Sequence, residues 1–282
     1  MRWQHVLRGF YTAASGMLSQ QRRVEMLTNN IANANTPGYK ADQAALRAFP
    51  EMLLARLDEV TIPTKNPRSF GNQTTIGGIH SGVYMQEMVP LFSQGDLRET
   101  GQKTDIALID GVVPVDEETG TRGTLFFVVQ NGNGEIRYTR NGNFTLDPQG
   151  FLTTMDGFYV LDENGDRIQL TNEDFQVTPD GTVFENGVRV SRLNVVFAEN
   201  PNLVAKEGNG LFRSENVLPS ALNNPNVTYQ LQQGFLERSN VDLSRSMTDM
   251  MSAYRAFEAN QRILQAYDRS MDKAVNEIGR LR

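Results

Sequence analysis

The chain has 282 residues, 27 basic against 33 acidic, and a formal net charge of −6 with no basic block, which argues against nucleic-acid binding. Cysteine is absent and histidine is confined to His5 and His80, which removes disulfides, thiolate nucleophiles, cysteine-ligated metals and most histidine-based sites. The apolar runs fall short of the roughly 18 residues of a membrane span, and the opening residues lead into an amphipathic pattern, so neither membrane insertion nor a cleavable signal peptide is expected.

Phe10, Met17, Val24 and Ile31 recur every seventh residue, with Ala13, Ala14 and Leu27 on a second line, which predicts an amphipathic helix. Gln20 and Gln21 make the middle of its seam polar. Pro37 and Gly38 end the helix, and Gly38 can take the positive φ of a type II turn. Asn29, Asn30, Asn33 and Asn35 crowd the last turns, where Asn is a poor helix former. Two readings stand side by side: the amides cap their own backbone, or they bond to a neighbouring chain.

Residues 41–95 read as a connector, extended between Met52 and Ser81 because Pro63, Pro67, Gly71, Gly77 and Gly78 interrupt it. Residues 96–200 read as an all-β outer domain. Its short apolar segments, among them Thr124–Val129, Ile136–Thr139 and Asn194–Phe197, are separated by Asn131-Gly132, Asn141-Gly142, Asp156-Gly157, Asn164-Gly165, Asp180-Gly181 and Asn186-Gly187. Such turn dipeptides signal antiparallel hairpins. Residues 201–236, carrying Pro201, Pro219 and Pro225, form a return segment.

The last stretch, 237–282, reads as a long helix with Ser239 or Asn240 as N-cap. Leu243, Met250, Phe257, Leu264, Met271 and Ile278 form an apolar line at heptad spacing, with Met247, Tyr254, Gln261, Asp268 and Val275 as the second line. Nothing breaks it before Gly279. The N-terminal helix, residues 1–40 with its Asn-rich turn, is the natural partner. The predicted fold is mainly β with helical termini (α+β): an all-β central domain of hairpins between coiled-coil-type helices.

No residue pattern calls for a cofactor or a metal. Asp162, Asn164, Asp166 and Glu173 match calcium-loop positions, but Arg167 stands where that loop needs glycine, so a hairpin turn is expected. His80 beside Ser81 lacks a nucleophile elbow, and adjacent Asp116, Glu117 and Glu118 read as solvated surface rather than as opposed glycosidase carboxylates. No phosphate-cradling glycine motif occurs.

The segments Arg8-Gly-Phe-Tyr-Thr-Ala-Ala-Ser-Gly-Met17 and Leu27-Thr-Asn-Asn-Ile-Ala-Asn-Ala-Asn-Thr-Pro-Gly-Tyr-Lys40 resemble the N-terminal signature of bacterial flagellar rod and hook proteins. Gly234-Phe-Leu-Glu-Arg-Ser-Asn-Val-Asp-Leu243 and Ala253-Tyr-Arg-Ala-Phe-Glu-Ala-Asn260 resemble the C-terminal signature of the same family. In the middle, Asp105–Gly111 and Tyr138–Phe144 resemble its central domain, and Val112–Gly123 intervenes where the family passes almost directly into the aromatic strand. The length matches the distal-rod type and its Gram-positive paralogues.

The resemblance implies a structural subunit of the basal-body rod and no enzyme. Such a subunit is exported by the flagellar type III apparatus and polymerises with itself and with other rod and hook proteins into a torque-bearing shaft. It implies packing roles for Phe10, Met17, Leu27, Met250, Tyr254, Phe257 and Leu264, and intersubunit polar roles for Asn29, Asn30, Asn33 and Asn260. A reading from another class is a β-rich cell-wall carbohydrate-binding or hydrolytic domain on a helical stalk, with Tyr138, Phe158 and Tyr159 as its exposed platform.

Overall fold

The computed structural model describes residues 3–61, 69–116, 120–222 and 224–278. The chain divides into two units, Met1–Thr28 with Ala44–Met88 and Ser244–Arg282, and Asn29–Gln43 with Val89–Leu243.

The first unit contains most of helices α1 (Trp3–Ala32) and α2 (Leu243–Lys273), and of strands β1 (Asp42–Ala48), β2 (Met52–Thr61), β3 (Ser69–Ile79) and β4 (Val83–Pro90). After Lys273 the backbone widens into a single π-type turn, Ala274–Ile278, and Gly279 lies outside the described residues. The helices run antiparallel. Gly9 lies against Tyr267 and Gly16 against Asn260, while the Thr28 hydroxyl points at Met250 Sδ, 3.7 Å away.

On α2 the line Met250, Phe257, Leu264 and Met271 is half-buried, as its spacing predicts. The second line differs. It is Ser246, Ala253, Asn260 and Tyr267, three residues after each apolar position instead of four, and Met247 and Tyr254 are 46% and 53% exposed. The glycines of α1 account for this, because Gly9 and Gly16 open space for the Tyr267 ring and the Asn260 amide. The apolar line alone does not fix the side of the helix on which that space falls. Of the polar residues expected at the centres of the two seams, Gln21, Gln261 and Asp268 are exposed and Gln20 is half-buried.

Gln20 Oε1 is buried without a hydrogen-bond partner. A buried acceptor left unpaired costs about 1–3 kcal/mol. Gln20→Leu is therefore expected to stabilise the helical unit by about 1 kcal/mol, seen as a later loss of helical circular dichroism on heating. An unchanged or earlier midpoint would mean that the amide oxygen is satisfied.

Helix α1 is also tied to the strands. Ser19 donates to Val83 O at 3.1 Å, Ser15 Oγ accepts from Val83 N, and Thr12 donates to Ser81 O at 2.8 Å. The stretch expected as an extended connector is paired, β2 with β3, from Met52 opposite Ile79 to Thr61 opposite Ser69. The glycines that suggested a connector sit inside β3, where pairing tolerates them, and Pro63 and Pro67 lie outside the described residues.

The second unit is built on strands. They are β5 (Leu97–Glu99), β6 (Ile106–Asp110), β7 (Thr124–Gln130), β8 (Ile136–Thr139), β9 (Phe144–Leu146), β10 (Leu152–Thr154), β11 (Tyr159–Val160) and β12 (Phe175–Val177). There follow β13 (Thr182–Glu185), β14 (Val188–Arg192), β15 (Val195–Ala198), β16 (Val204–Gly208), β17 (Leu211–Ser214), β18 (Tyr229–Gln233) and β19 (Phe235–Glu237). The principal sheet has eight strands in the order β16-β17-β8-β7-β11-β10-β9, with β15 also on β7.

β7 is central. The pleat sends Leu125, Phe127 and Val129 to one core cluster and Phe126 and Val128 to another, so its uninterrupted apolar run serves two faces. β15 does the same, with Val195 and Phe197 on one face and Val196 and Ala198 on the other. Phe127 meets Phe144 edge-on at 5.3 Å, and Phe126 meets Phe212 at 5.3 Å on the opposite face.

Residues 201–236, expected as a return segment, supply three strands to this unit. β16 pairs with β17, β17 with β8, and β18 with β6. The prolines fall outside these strands, Pro201 just before β16 and Pro219 and Pro225 between β17 and β18, which made the segment read as loop. Within Val112–Gly123, Val115 and Arg122 pair as an isolated antiparallel bridge, and Glu117 and Glu118 lie outside the described residues. The calcium-like stretch is a turn, in which Asp162 Oδ1 accepts from the backbone N–H groups of Asn164 and Asp166 and Gly165 takes φ +87°.

Candidate functional site

The chain leaves α1 through a strap, Thr36-Pro37-Gly38-Tyr39-Lys40, that does what its residues dictate. Tyr39 N donates to Thr36 O and Gly38 takes φ +67°, the type II turn that Pro followed by Gly favours. A Cβ on Gly38 would lie 2.5 Å from the carbonyl carbon of Arg140, so the strap is pressed against the loop after β8. Gly38→Ala is expected to destabilise the second unit by about 1–3 kcal/mol, through strain at positive φ and that contact. A urea midpoint equal to wild type would show that the loop yields without cost.

Lys40 follows the turn and is 1% exposed. Its Nζ donates to Glu237 Oε1 at 2.6 Å and to Ser93 O at 2.9 Å. The other Glu237 oxygen faces Arg140, with Nη2 at 2.8 Å and Nε at 3.0 Å, and Gly95 N donates to Oε1. Arg140 continues to Asp110 Oδ1 at 2.6 Å and to the carbonyls of Leu108 and Leu125. Two cations and two carboxylates thus close a buried network of zero net charge.

Burial pushes the Lys40 ammonium down, with Arg140 adding to the effect and Glu237 opposing it. Burial pushes the Glu237 carboxyl up, but Arg140 and Lys40 overrule it and hold it below the ordinary 4.5. For Arg140, burial opposes the charge while Glu237 and Asp110 outweigh it, and the guanidinium ends above its ordinary value.

Around this core the asparagines do local work. Asn30 is 3% exposed; its amide N–H donates to Asp42 O at 2.8 Å and its oxygen accepts from Asp42 N at 2.9 Å. The Tyr39 hydroxyl lies 2.7 Å from Asn29 Oδ1 and 3.1 Å from Asn30 Oδ1, and its single proton serves one of them. Asn33 donates to Asn29 O and accepts from the Thr36 hydroxyl. The expectation that Asn30 faces a neighbouring subunit is therefore corrected, because its amide is sealed inside its own chain.

Asn240 does not cap α2. Its oxygen accepts from Ala41 N at 2.7 Å, and its N–H groups reach Leu91 O and Ser93. Lys206 stands over the Tyr39 ring at 3.8 Å and pairs with Asp42. Sequence reading missed Lys40, Arg140, Glu237 and Asn240 as a set. The available signal was that each lies inside one of the three signature stretches.

Of the packing residues, Leu27 is buried, Phe10, Met17, Met250, Phe257 and Leu264 are half-buried, and Tyr254 is exposed. The aromatic platform is corrected. Tyr138 is 4% exposed and accepts from Leu218 N, and Tyr159 is half-covered by the Arg167 guanidinium at 4.0 Å.

Lys40, Arg140 and Glu237 of this network each lie in a segment matched by a family model. Residues 10–40 match "Flagella basal body rod protein", 121–185 match "Flagellar hook protein FlgE/F/G D1 domain", and 232–277 match "Flagellar basal body rod FlgEFG protein C-terminal". The chain is 49% identical over 278 residues to the flagellar hook-basal body complex protein FlhO of Bacillus subtilis, covering 98% of this chain and 100% of that one.

The chain belongs to the flagellar basal-body rod protein family.

It is also 30% identical to the basal-body rod protein FlgG of Bacillus subtilis, over 96% of this chain and 99% of the relative. The rod protein FlgF of Caulobacter vibrioides is 31% identical, over 96% and 98%. In these terms the network joins the N-terminal rod signature through Lys40, the central domain through Arg140 and the C-terminal signature through Glu237. These relatives carry names of structural components.

Proposed function

We propose that the chain is a structural subunit of the basal-body rod that polymerises through its terminal helices and carries a β-rich unit. The supporting observation is a bare apolar stripe on helices that are already paired. Met247, Met251 and Tyr254 are 46%, 55% and 53% exposed on α2, and Tyr11 and Leu18, seven residues apart, are 62% and 56% exposed on α1. Exposed apolar side chains repeating along a helix mark a surface for other helices. The pairing of α1 with α2 is of coiled-coil type, with Phe10, Met17, Leu27, Met250, Phe257 and Leu264 in its seam and Tyr254 presented to a neighbour.

Asn29 and Asn260 contribute polar contacts at the edge of this surface. Residues 1–40 and 237–282 are the polymerising part, and 96–200 with the strands of 201–236 the β-rich part. The partners are further copies and other rod and hook proteins, and delivery is by the flagellar export apparatus. No chemistry is required. The test is concentration-dependent sedimentation of the purified chain, together with co-purification of a tagged copy with basal bodies. A protein that remains monomeric at high concentration and is absent from basal bodies would overturn the reading.

A further inference from the structure

We infer that Gly234–Asn240 is a latch that closes the second unit last, so that closure of the N-terminal strap depends on a peptide 197 residues further along the chain. The strap and the segment Leu91–Gly95 form a docking site, and the occupant is this peptide of the same chain. Gly38 N donates to Glu237 O at 2.8 Å, Arg238 N donates to Asp96 O at 2.8 Å, and Thr100 N donates to Gly234 O at 2.8 Å. Glu237 adds its bonds to Lys40, Arg140 and Gly95, and Asn240 adds its bonds to Ala41, Leu91 and Ser93.

Separation along the chain gives the latch its meaning. Glu237 is 197 residues from Lys40 and 97 from Arg140. Before the latch is in place, closing the strap would bury Lys40 with no carboxylate at its Nζ, and Arg140 would keep Asp110 alone. An uncompensated buried ammonium costs more than the strap's backbone contacts return, so the strap stays open. The main sheet does not depend on the latch in this way. β7 and β15, which hold both core clusters, carry none of its contacts. The inference rests on the rod-subunit reading in one respect: a closed strap marks a subunit fit to assemble.

The test uses the full-length chain and native-state hydrogen exchange. In Glu237→Gln, exchange at Gly38, Ala41 and Arg238 is expected to rise about 10²- to 10³-fold, with the amides of Phe127 and Val195 unchanged. Adding Lys40→Met to that variant removes the unpaired cation, and the double variant is expected to recover at least tenfold of the lost protection. Arg238→Gln, exposed in the same segment, is expected to change nothing.

Unchanged strap exchange in Glu237→Gln would overturn the latch. So would a rise of the same size at Phe127 and Val195, which would make the segment ordinary core, or a double variant no better protected than the single. Sedimentation of the wild-type chain is read separately, so failure to polymerise would count against the rod-subunit reading without touching the exchange result.

Discussion

Arg140→Leu is expected to lower the stability of the β-rich unit by about 3–5 kcal/mol, the usual result of removing one partner from a buried ion network. The variant leaves Glu237 and Asp110 facing a single cation, Lys40, and removes the Arg140 bond to the Leu125 carbonyl and one of the two side-chain donors, Arg140 and Gln94, at the Leu108 carbonyl. The pH dependence identifies the cause. In the wild type, Glu237 titrates below its ordinary 4.5 in the folded state, so its contribution is fully present above that value and is lost as pH falls through the lowered one.

Without Arg140 the largest opposing charge is gone, and burial, opposed now by Lys40 and the Gly95 N–H, pulls the carboxyl back toward its ordinary value. Protonation then costs the variant less than it costs the wild type. The deficit should be greatest at neutral pH and shrink as pH falls below 4.5. A series of urea midpoints on strand-dominated circular dichroism measures it. A deficit constant across that range would mean that lost packing, not charge, is what the substitution removed.

How much of this was legible in the sequence depends on the range over which each residue acts. The turn at Gly38 and that at Asn186-Gly187, where φ is +52° and +77°, follow from local backbone chemistry and could be read directly. Thr124–Val129 announces a buried strand because any partner on either face would do. The helical seam was half legible. The line through Phe257 depends on one helix, whereas the second line depends on glycines of another.

The charged network was legible only in that its members lie inside the signature stretches. Nothing local to Lys40, Arg140 or Glu237 marks them for burial, and only pairing across 197 residues of chain compensates it. The asparagines misled for a related reason. Asn30 bonds to Asp42, beyond the turn, and no helix-propensity argument reaches that far.

Phe257→Asp is expected to abolish entry into the rod while leaving the β-rich unit folded. In the free chain Phe257 is half-buried and its ring stacks on the exposed Tyr254 at 6.4 Å with 29° between planes. Tyr254 continues the stripe of Met247 and Met251, so the pair links the intramolecular seam to the open face. Removing a partly covered ring costs about 1–3 kcal/mol in the free subunit. In a polymer, where neighbours cover the stripe, a carboxylate at this position adds the penalty of an unpaired charge out of water, several kcal/mol more at every subunit contact.

Loss of that size, repeated at each contact, raises the concentration needed for polymerisation by orders of magnitude. The core of the second unit contains none of these residues. The variant should therefore keep its strand-type circular dichroism, fail to sediment as polymer and leave cells non-motile. Phe257→Leu, which keeps an apolar side chain in the line, should assemble. If Phe257→Asp sediments and supports swimming like the wild type, the stripe is plain surface and the rod must be built through another face.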